Sequence, residues 1–162
     1  MTGDLRVVVM GPSGAGKSTI GALLAERAGL PFVDGDALHP ASNVAKMAAG
    51  QPLDDADRAP WLDAVGETLR AAPVVVACSA LRRGYRDRIR ALTPSAVFVE
   101  LRTDRAELER RMGTRAHFMP VALLRSQLDT LEPLEPDEPG FAVDTEASVE
   151  AVVDRCIAAL TR

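Results

Sequence analysis

A glycine-rich segment near the start of the chain limits its possible folds more than any other feature. Residues 11–18 fit the pattern G-x-x-x-x-G-K-[ST] at every position. The apolar run 5–10 precedes it, and apolar residues at helical spacing follow from Lys17 to Ala28. A strand, such a loop and a helix form a phosphate-binding unit, in which glycines let backbone N–H groups point at phosphate oxygens. A glycine-rich turn without a ligand is the alternative, and the flanking strand and helix argue against it.

The loop assigns a role to its side chains as well as to its backbone. Lys17 reaches the β- and γ-phosphates of a nucleotide, and the Ser18 hydroxyl binds Mg²⁺. The N-terminus of the following helix adds partial positive charge. We therefore assign these residues to the nucleotide: Gly11, Pro12, Ser13, Gly14, Ala15, Gly16, Lys17, Ser18 and Thr19. The loop alone does not distinguish a GTPase switch, an ATP-driven motor and a small-molecule kinase.

Short apolar runs alternate with helical patterns along the rest of the chain. After the run at 5–10, strands are predicted at 30–33, 74–78, 96–101 and 140–143. Short apolar strands separated by helices indicate βαβ units and a parallel sheet covered on both faces. We predict an α/β fold with five parallel strands in a single domain that spans residues 1–162.

The helices and loops between these strands are predicted from capping residues and from prolines and glycines at their ends. Helices are expected after Pro40, from about Asp54 to Leu69, and from Glu146 to Leu160, with Asp54 as the N-cap of the second of them. Trp61 is expected in the core. The Pro- and acid-rich residues 132–139 predict a surface loop.

Composition excludes several classes of protein. The 162 residues include 23 acidic and 19 basic side chains, a net charge of −4, so a basic nucleic-acid-binding face is not expected. No apolar run approaches the ~20 residues that span a bilayer, and the N-terminus lacks a signal-peptide pattern. Cys78 and Cys156 form no C-x-x-C pair. We expect a cytoplasmic protein with reduced thiols and no membrane partner.

Two carboxylates follow the second predicted strand, where ligands bind in parallel sheets. If Gly35 kinks the chain, Asp34 and Asp36 both face this crevice. Asp34 is then a candidate to hold Mg²⁺ through water, and Asp36 is the better candidate to accept the proton of an attacking hydroxyl. An Asx-turn that caps the next helix is the alternative for this pair.

Cationic and imidazole side chains near the same edge are candidates to hold the acceptor. His39 is a candidate to bind the acceptor, and a structural role is the alternative. Arg58 is a candidate clamp for an anionic group, or otherwise an i,i+4 partner of Asp54. Four arginines also follow the third strand, and their placement favours an anion site over a solvated helix face: Arg82, Arg83, Arg86 and Arg88.

Several strings of residues together resemble the bacterial-type gluconokinases, a family of P-loop kinases. The resemblance covers nearly the whole chain, and D-G-D-x-L-H-P and D-R-x-P-W-L are its most specific strings. It is carried by residues 11–18, 34–40, 47–62, 78–87, 117–119 and 127–132. The family likeness implies a nucleoside-kinase-like, three-layer fold with a five-stranded parallel sheet, a small lid at about 110–120 and a homodimer.

The resemblance also implies an activity, ATP-dependent and Mg²⁺-assisted phosphorylation of D-gluconate at its terminal hydroxyl. Lys17, Asp36 and the lid residue Arg115 are then catalytic, and either Arg111 or Arg115 meets the nucleotide. Ser18 and Asp34 hold the metal. The acceptor is assigned to Asp36, His39, Arg58, Arg82, Arg86 and His117.

Two other functions compete with this one. A related kinase acting on shikimate or a nucleoside monophosphate fits the same loop, although aromatic residues for stacking a base make up only 4% of the chain. A nucleotide-dependent switch is the third possibility. The chain contains no N/T-K-x-D string of the kind that reads guanine in GTPases.

Overall fold

The computed structural model describes residues 3–114 and 121–162 of the chain. Within them lies one sheet of five strands: β1 (Arg6–Met10), β2 (Phe32–Asp34), β3 (Val74–Ala77), β4 (Val97–Arg102) and β5 (Gly140–Asp144). The strands are all parallel and lie in the order β2-β3-β1-β4-β5. The predicted α/β class and strand number are confirmed, with strand ends that differ by one or two residues.

Seven α-helices and one short 3₁₀ turn connect the strands in the described part of the chain. The helices are α1 (Lys17–Ala28), α2 (Ala41–Ala48), α3 (Asp55–Ala71), α4 (Arg83–Leu92), α5 (Arg105–Thr114), α6 (Val121–Thr130) and α7 (Val149–Leu160); the 3₁₀ turn is Gly35–Leu38. The last helix begins three residues later than predicted because Ser148 caps it, accepting from the Ala151 N–H. None of the described helices is both long and apolar enough to cross a membrane.

The central strand β1 is buried on both faces, and its alternating side chains enter two separate cores. Val7 and Val9 pack with α1 and α7, whereas Val8 and Met10 pack with α3 and α4. Because successive strand side chains point to opposite faces, the run of four buried residues serves both layers. The molecule is therefore a three-layer sandwich, helices–sheet–helices.

Helix α3 begins as predicted, at the N-cap Asp54. Its carboxylate accepts from the Asp57 N–H at 2.7 Å, and the Asp57 carboxylate accepts from the Asp54 N–H at 3.0 Å. This reciprocal capping box fixes the start of α3 beside α2. Trp61, predicted in the core, is 2% exposed and donates from Nε1 to the Gly35 carbonyl at 2.8 Å.

The loop of residues 132–139 differs from the predicted exposed loop at one position. Glu138 is buried and holds the loop against α4, whereas its neighbours Glu135 and Asp137 are exposed. Both cysteines are buried free thiols. Burial raises the pKa of Cys78 to about 12 and that of Cys156 to about 11, so neither is a ready nucleophile at neutral pH.

Candidate active site

The glycine-rich loop lies between the central strand β1 and helix α1, at the carboxyl edge of the sheet. Gly16 stands at the N-cap of α1 with a φ of +97°, a left-handed conformation that favours glycine. No side chain caps this helix, and its first turn contains no acidic residue. The N-terminal N–H groups and the positive end of α1 are therefore suited to bind an anion.

Lys17 folds back over the loop. Its Nζ donates to the Pro12 carbonyl at 3.1 Å. Its side chain also lines a cleft beside the loop, described below, together with Asp36. Burial lowers the pKa of Lys17, although the charges of Asp36, Cys78 and Asp34 act to raise it. A phosphate anion at this position would favour the charged ammonium further.

The Asp34 carboxylate caps the 3₁₀ turn and also contacts Ser18 of the glycine-rich loop. Its Oδ1 accepts from the Asp36 N–H at 3.0 Å, the Asx-turn that the sequence left open. Its Oδ2 accepts from the Ser18 Oγ, also at 3.0 Å. Gly35 makes this turn possible, because a Cβ there would lie 2.3 Å from the Ala77 carbonyl oxygen of β3.

The oxygen atoms of Ser18 and Asp34 could together bind a Mg²⁺ ion that also binds phosphate. Mg²⁺ takes hard oxygen ligands and is commonly held by one or two protein groups together with substrate phosphates. Over the part of the chain that the structure describes, no group of three or more His, Cys, Asp or Glu side chains stands ready to hold a metal. Ser18 and Asp34 thus supply two oxygen ligands, which suit a metal whose remaining ligands are phosphate oxygens and water.

A cleft of about 540 Å³ opens beside the loop, on the side of α2 and α3. It brings together five of the predicted site residues: Ser13, Lys17, Asp36, His39 and Arg58. Its other lining residues are Val44, Met47, Ala48, Gln51, Pro52, Leu53, Trp61, Ser79, Leu81, Tyr85, Ser126 and Gln127. An acid, a half-buried ammonium, an imidazole and a guanidinium thus share one cavity, which suits a polar, anionic small molecule.

Arg58 is held in this cleft by Tyr85. Its Nη1 donates to the Tyr85 hydroxyl at 3.1 Å, and its guanidinium carbon lies 5.3 Å from the centre of that ring. The Tyr85 hydroxyl donates in turn to Asp55 at 2.7 Å. Asp54, the predicted alternative partner of Arg58, is used in the capping box instead. The ring and the hydroxyl of Tyr85 restrict the orientations that the Arg58 guanidinium can adopt. A guanidinium that is oriented in advance binds a carboxylate at a lower cost in entropy.

The prediction that Arg86 binds the acceptor is wrong. Its side chain is 0% exposed, and its guanidinium donates to Glu138 and to the carbonyls of Ala80, Glu132 and Pro133. Arg86 lies on the face of α4 that packs against the body of the protein. With its nitrogens engaged inside the molecule, it has none to offer a substrate.

The expected anion site at the start of α4 is largely neutralised by carboxylates. Arg83 pairs with Glu135 and Asp137, and Arg88 pairs with Asp63. Arg82 is exposed at the N-cap of α4 and is not among the residues lining the cleft. These acidic partners lie in segments far from the arginines in sequence. The residues around the arginines therefore gave no sign that their charge would be neutralised.

A second cavity, of about 290 Å³, lies on the other side of the glycine-rich loop. Gly14, Gly16 and Thr19 of the loop line it, together with Arg111 and residues that precede α7. The Arg111 Nη1 donates to the Gly14 carbonyl at 2.7 Å. Arg111, one of the two candidates to meet the nucleotide, thus touches the loop. The other, Arg115, and the predicted acceptor residue His117 lie outside the described residues, as does most of the predicted lid.

Three residues of the site were not singled out from the sequence. Tyr85 orients Arg58, Gln127 accepts from the Ser13 N–H of the loop at 2.8 Å, and Asn43 contacts His39. Tyr85 and Gln127 occur in the strings that carry the family resemblance, which was their only signal. Asn43 had none, because a polar residue on a short helix is ordinarily exposed.

The loop at the centre of a parallel sheet, flanked by one cavity on each side, defines a P-loop kinase of small molecules. The shikimate kinase family model matches residues 13–160. A gluconokinase of Gluconobacter oxydans is 47% identical over 157 residues, 93% of this chain and 88% of that protein. The thermosensitive gluconokinase of Escherichia coli is 39% identical over 156 residues, 92% of this chain and 83% of that protein.

Solved structures agree with these relatives. The crystal structure of a gluconokinase from Sinorhizobium meliloti matches with a TM-score of 0.91 and 47% identity, and covers 98% of this chain and 93% of that one. The chain belongs to the gluconokinase family of P-loop kinases.

Proposed function

We propose that this kinase transfers the γ-phosphoryl group of ATP to the terminal hydroxyl of D-gluconate and forms 6-phosphogluconate. The single observation that carries the proposal is the large cleft, in which Lys17 and Asp36 of the transfer site share one cavity with Arg58. A sugar acid has a hydroxyl at one end and a carboxylate at the other, and the cleft offers a partner for each. The gluconokinase relatives support this choice of acceptor.

The residues of the chain divide the reaction between them. The N–H groups of the loop and Lys17 hold the phosphates and offset the charge of the transferring group. Asp36 orients the terminal hydroxyl and takes its proton as the new O–P bond forms. Ser18 and Asp34 would hold Mg²⁺, which would supply positive charge to offset that of the phosphates. We also propose that Arg111, which lines the smaller cavity, contacts the nucleotide there.

Arg58 and His39 are proposed to hold the acceptor at the other end of the cleft. Arg58 is the guanidinium lining this cavity, so it is the natural partner of the carboxylate. Trp61 and Tyr85, which line the cleft, are only 2% and 8% exposed, and one face of each ring is covered, by His39 and by Arg58 respectively. This arrangement disfavours a nucleobase as acceptor.

The test is an assay of ADP release with ATP, Mg²⁺ and a panel of acceptors. The panel contains D-gluconate, other aldonic acids, shikimate and nucleoside monophosphates. We expect D-gluconate to stimulate ADP release far above the background ATPase rate, and shikimate and the nucleotides to have no effect. Stimulation by shikimate alone, or by no sugar acid, would overturn the proposal.

Two further properties belong to the same proposal. We propose that the enzyme works as a homodimer and in the cytoplasm, where ATP is available. Light scattering coupled to size exclusion measures the first, and a single mass of one chain, about 17.2 kDa, would contradict it. Fractionation of cells that express the tagged protein measures the second.

A further inference from the structure

Asn43 is a buried polar residue that the mechanism above does not use. It lies on α2, is 1% exposed, and its side chain contacts two other groups. Its Nδ2 lies 2.8 Å from the Asp57 backbone carbonyl and 3.1 Å from Nδ1 of His39. Buried polar side chains keep their hydrogen bonds, so these two contacts decide how both Asn43 and His39 are oriented.

The Asp57 carbonyl fixes the orientation of the Asn43 amide. A carbonyl oxygen only accepts, so the Asn43 atom at 2.8 Å must be the NH₂ group rather than the oxygen. The same NH₂ group then donates its second hydrogen to His39 Nδ1. A nitrogen that accepts carries no hydrogen in the neutral ring, so the hydrogen of His39 resides on Nε2.

The ring of His39 is also fixed in its plane. It stacks on Trp61 with 4.1 Å between ring centres and an angle of 16° between the rings. Trp61 is itself held by its hydrogen bond to the Gly35 carbonyl. One face of the ring lies on the indole and Nδ1 lies on Asn43, so Nε2 is the ring nitrogen for which the described part of the chain supplies no hydrogen-bond partner.

We propose that Asn43 is a positioning residue that keeps the Nε2 hydrogen of His39 available to an oxygen atom of the acceptor. This inference rests on the proposed function for the identity of the acceptor. His39 then recognises the polyol as a neutral donor, beside the carboxylate of Asp36, which accepts. Asn43 does not touch the substrate and acts only through the ring.

The charges around His39 agree with a neutral ring. Burial lowers the pKa of His39, and so does the Arg58 charge on α3, whereas the Asp36 charge on the preceding turn acts to raise it. Lys46 on α2 and Asp57 on α3 also lie beside this contact, whereas Asp55 on α3 faces Arg58 and Tyr85. Lys46 and Asp57 are hydrogen-bonded to each other at 2.6 Å, so they act on the ring mainly as a pair.

The first test observes the tautomer directly by long-range ¹H–¹⁵N NMR of the ring nitrogens at pH 7. The chain contains two histidines, so a His39→Ala variant assigns the signals. We expect a bare Nδ1 and a protonated Nε2 in the wild-type protein. A hydrogen on Nδ1, or on both nitrogens, would overturn the proposal without any variant having to fold at position 43.

The second test replaces Asn43 by Asp, which has the same shape but accepts where the amide donates. We expect the hydrogen to move to Nδ1 or the ring to become cationic, and the KM for D-gluconate to rise about tenfold. The KM for ATP should stay within about twofold, because the nucleotide loop is not touched. The matched control is Ser42→Ala, an exposed neighbour on α2, for which both KM values should be unchanged.

A double-mutant cycle separates positioning from a general structural effect. Once His39 is Ala, adding Asn43→Asp should change the acceptor KM no further, because Asn43 acts through the ring. Additive effects, or a changed tautomer with an unchanged acceptor KM, would overturn the proposal. If no sugar acid is phosphorylated at all, the proposed function fails, whereas the tautomer measurement still decides whether Asn43 orients the ring.

Discussion

The two halves of the site are built in different ways. The half that we propose binds the nucleotide is centred on a short continuous loop, which presents backbone N–H groups and includes Lys17 and Ser18. The proposed acceptor half takes Asp36 and His39 from the 3₁₀ turn and its C-terminal end and Arg58 from α3, and side chains on α2 and α4 orient them. A local sequence motif is therefore enough to predict the first half from the sequence. The second half depends on contacts between parts of the chain that are far apart in sequence.

Removing the one cation of the loop should have the largest effect. We expect Lys17→Ala to lower kcat roughly 10³- to 10⁴-fold, because the charge of the transferring phosphoryl group loses its partner. Thermal unfolding should change little, since the loop backbone stays in place. The control is Lys46→Ala, the only other lysine, which should keep most of the activity. Similar losses in both variants would contradict this role.

The buried pair of Arg86 and Glu138 should be the most sensitive point behind the acceptor half. Arg86→Met takes away the bidentate partner of the buried Glu138, which keeps only Arg90 and the Glu135 N–H, and should lower the free energy of unfolding by up to about 3–5 kcal/mol. Arg88→Met on the same helix removes an exposed pair with Asp63 and should cost less than about 1 kcal/mol. Chemical denaturation measures both. Equal costs would mean that Arg86 is not the anchor of the loop at 132–139.

The same pair predicts how stability depends on pH. Burial alone would raise the pKa of Glu138, but hydrogen bonds from Arg86 and other donors lower it from 4.5 to about 2. In the window between these values the unfolded chain binds more protons than the folded one, so stability falls as the pH falls. The contribution, about 3 kcal/mol, is complete above pH 4.5 and lost near pH 2. Urea denaturation of Glu138→Gln should show a shallower loss over that window than the wild-type protein shows.

A substitution of Asp36 tests which of the two proposed halves of the site this residue belongs to. We expect Asp36→Asn to lower kcat about 10²-fold, because the acceptor hydroxyl loses its base, with ATP affinity nearly unchanged. Asp63→Asn, an acid on the outer surface of α3, serves as the control. A collapse of ATP binding instead would place Asp36 in the nucleotide half.

The smallest effect is expected at Tyr85. Tyr85→Phe removes the hydroxyl that accepts from Arg58 and donates to Asp55, and keeps the ring beneath the guanidinium. We expect the acceptor KM to rise about five- to tenfold with little change in kcat. In a cycle with Arg58→Lys the two changes should not add, because both act on one contact. Additive effects would show that Tyr85 works independently of Arg58.

Sequence reasoning predicted the sheet, the loop and the capping of α3 because each depends on residues close together in the chain. Alternating apolar runs and helices specify parallel strands, and Asp54 and Asp57 lie within one turn of each other. It failed at Arg86, whose partner Glu138 is 52 residues away. Nothing near Arg86 distinguishes a buried arginine from a cleft arginine. Asn43 was missed for the same reason, since only the packing of α2 on α3 makes it a buried donor.

Trp61 gives the molecule a built-in optical probe. It is the one tryptophan of the chain, and its indole lies against His39 at the acceptor end of the cleft, away from the smaller cavity beside Arg111. Indole emission responds to the polarity of its immediate surroundings. Titration with a sugar acid should therefore shift the intrinsic fluorescence while nucleotide alone leaves it largely constant, so each ligand can be followed without a label or a coupling enzyme.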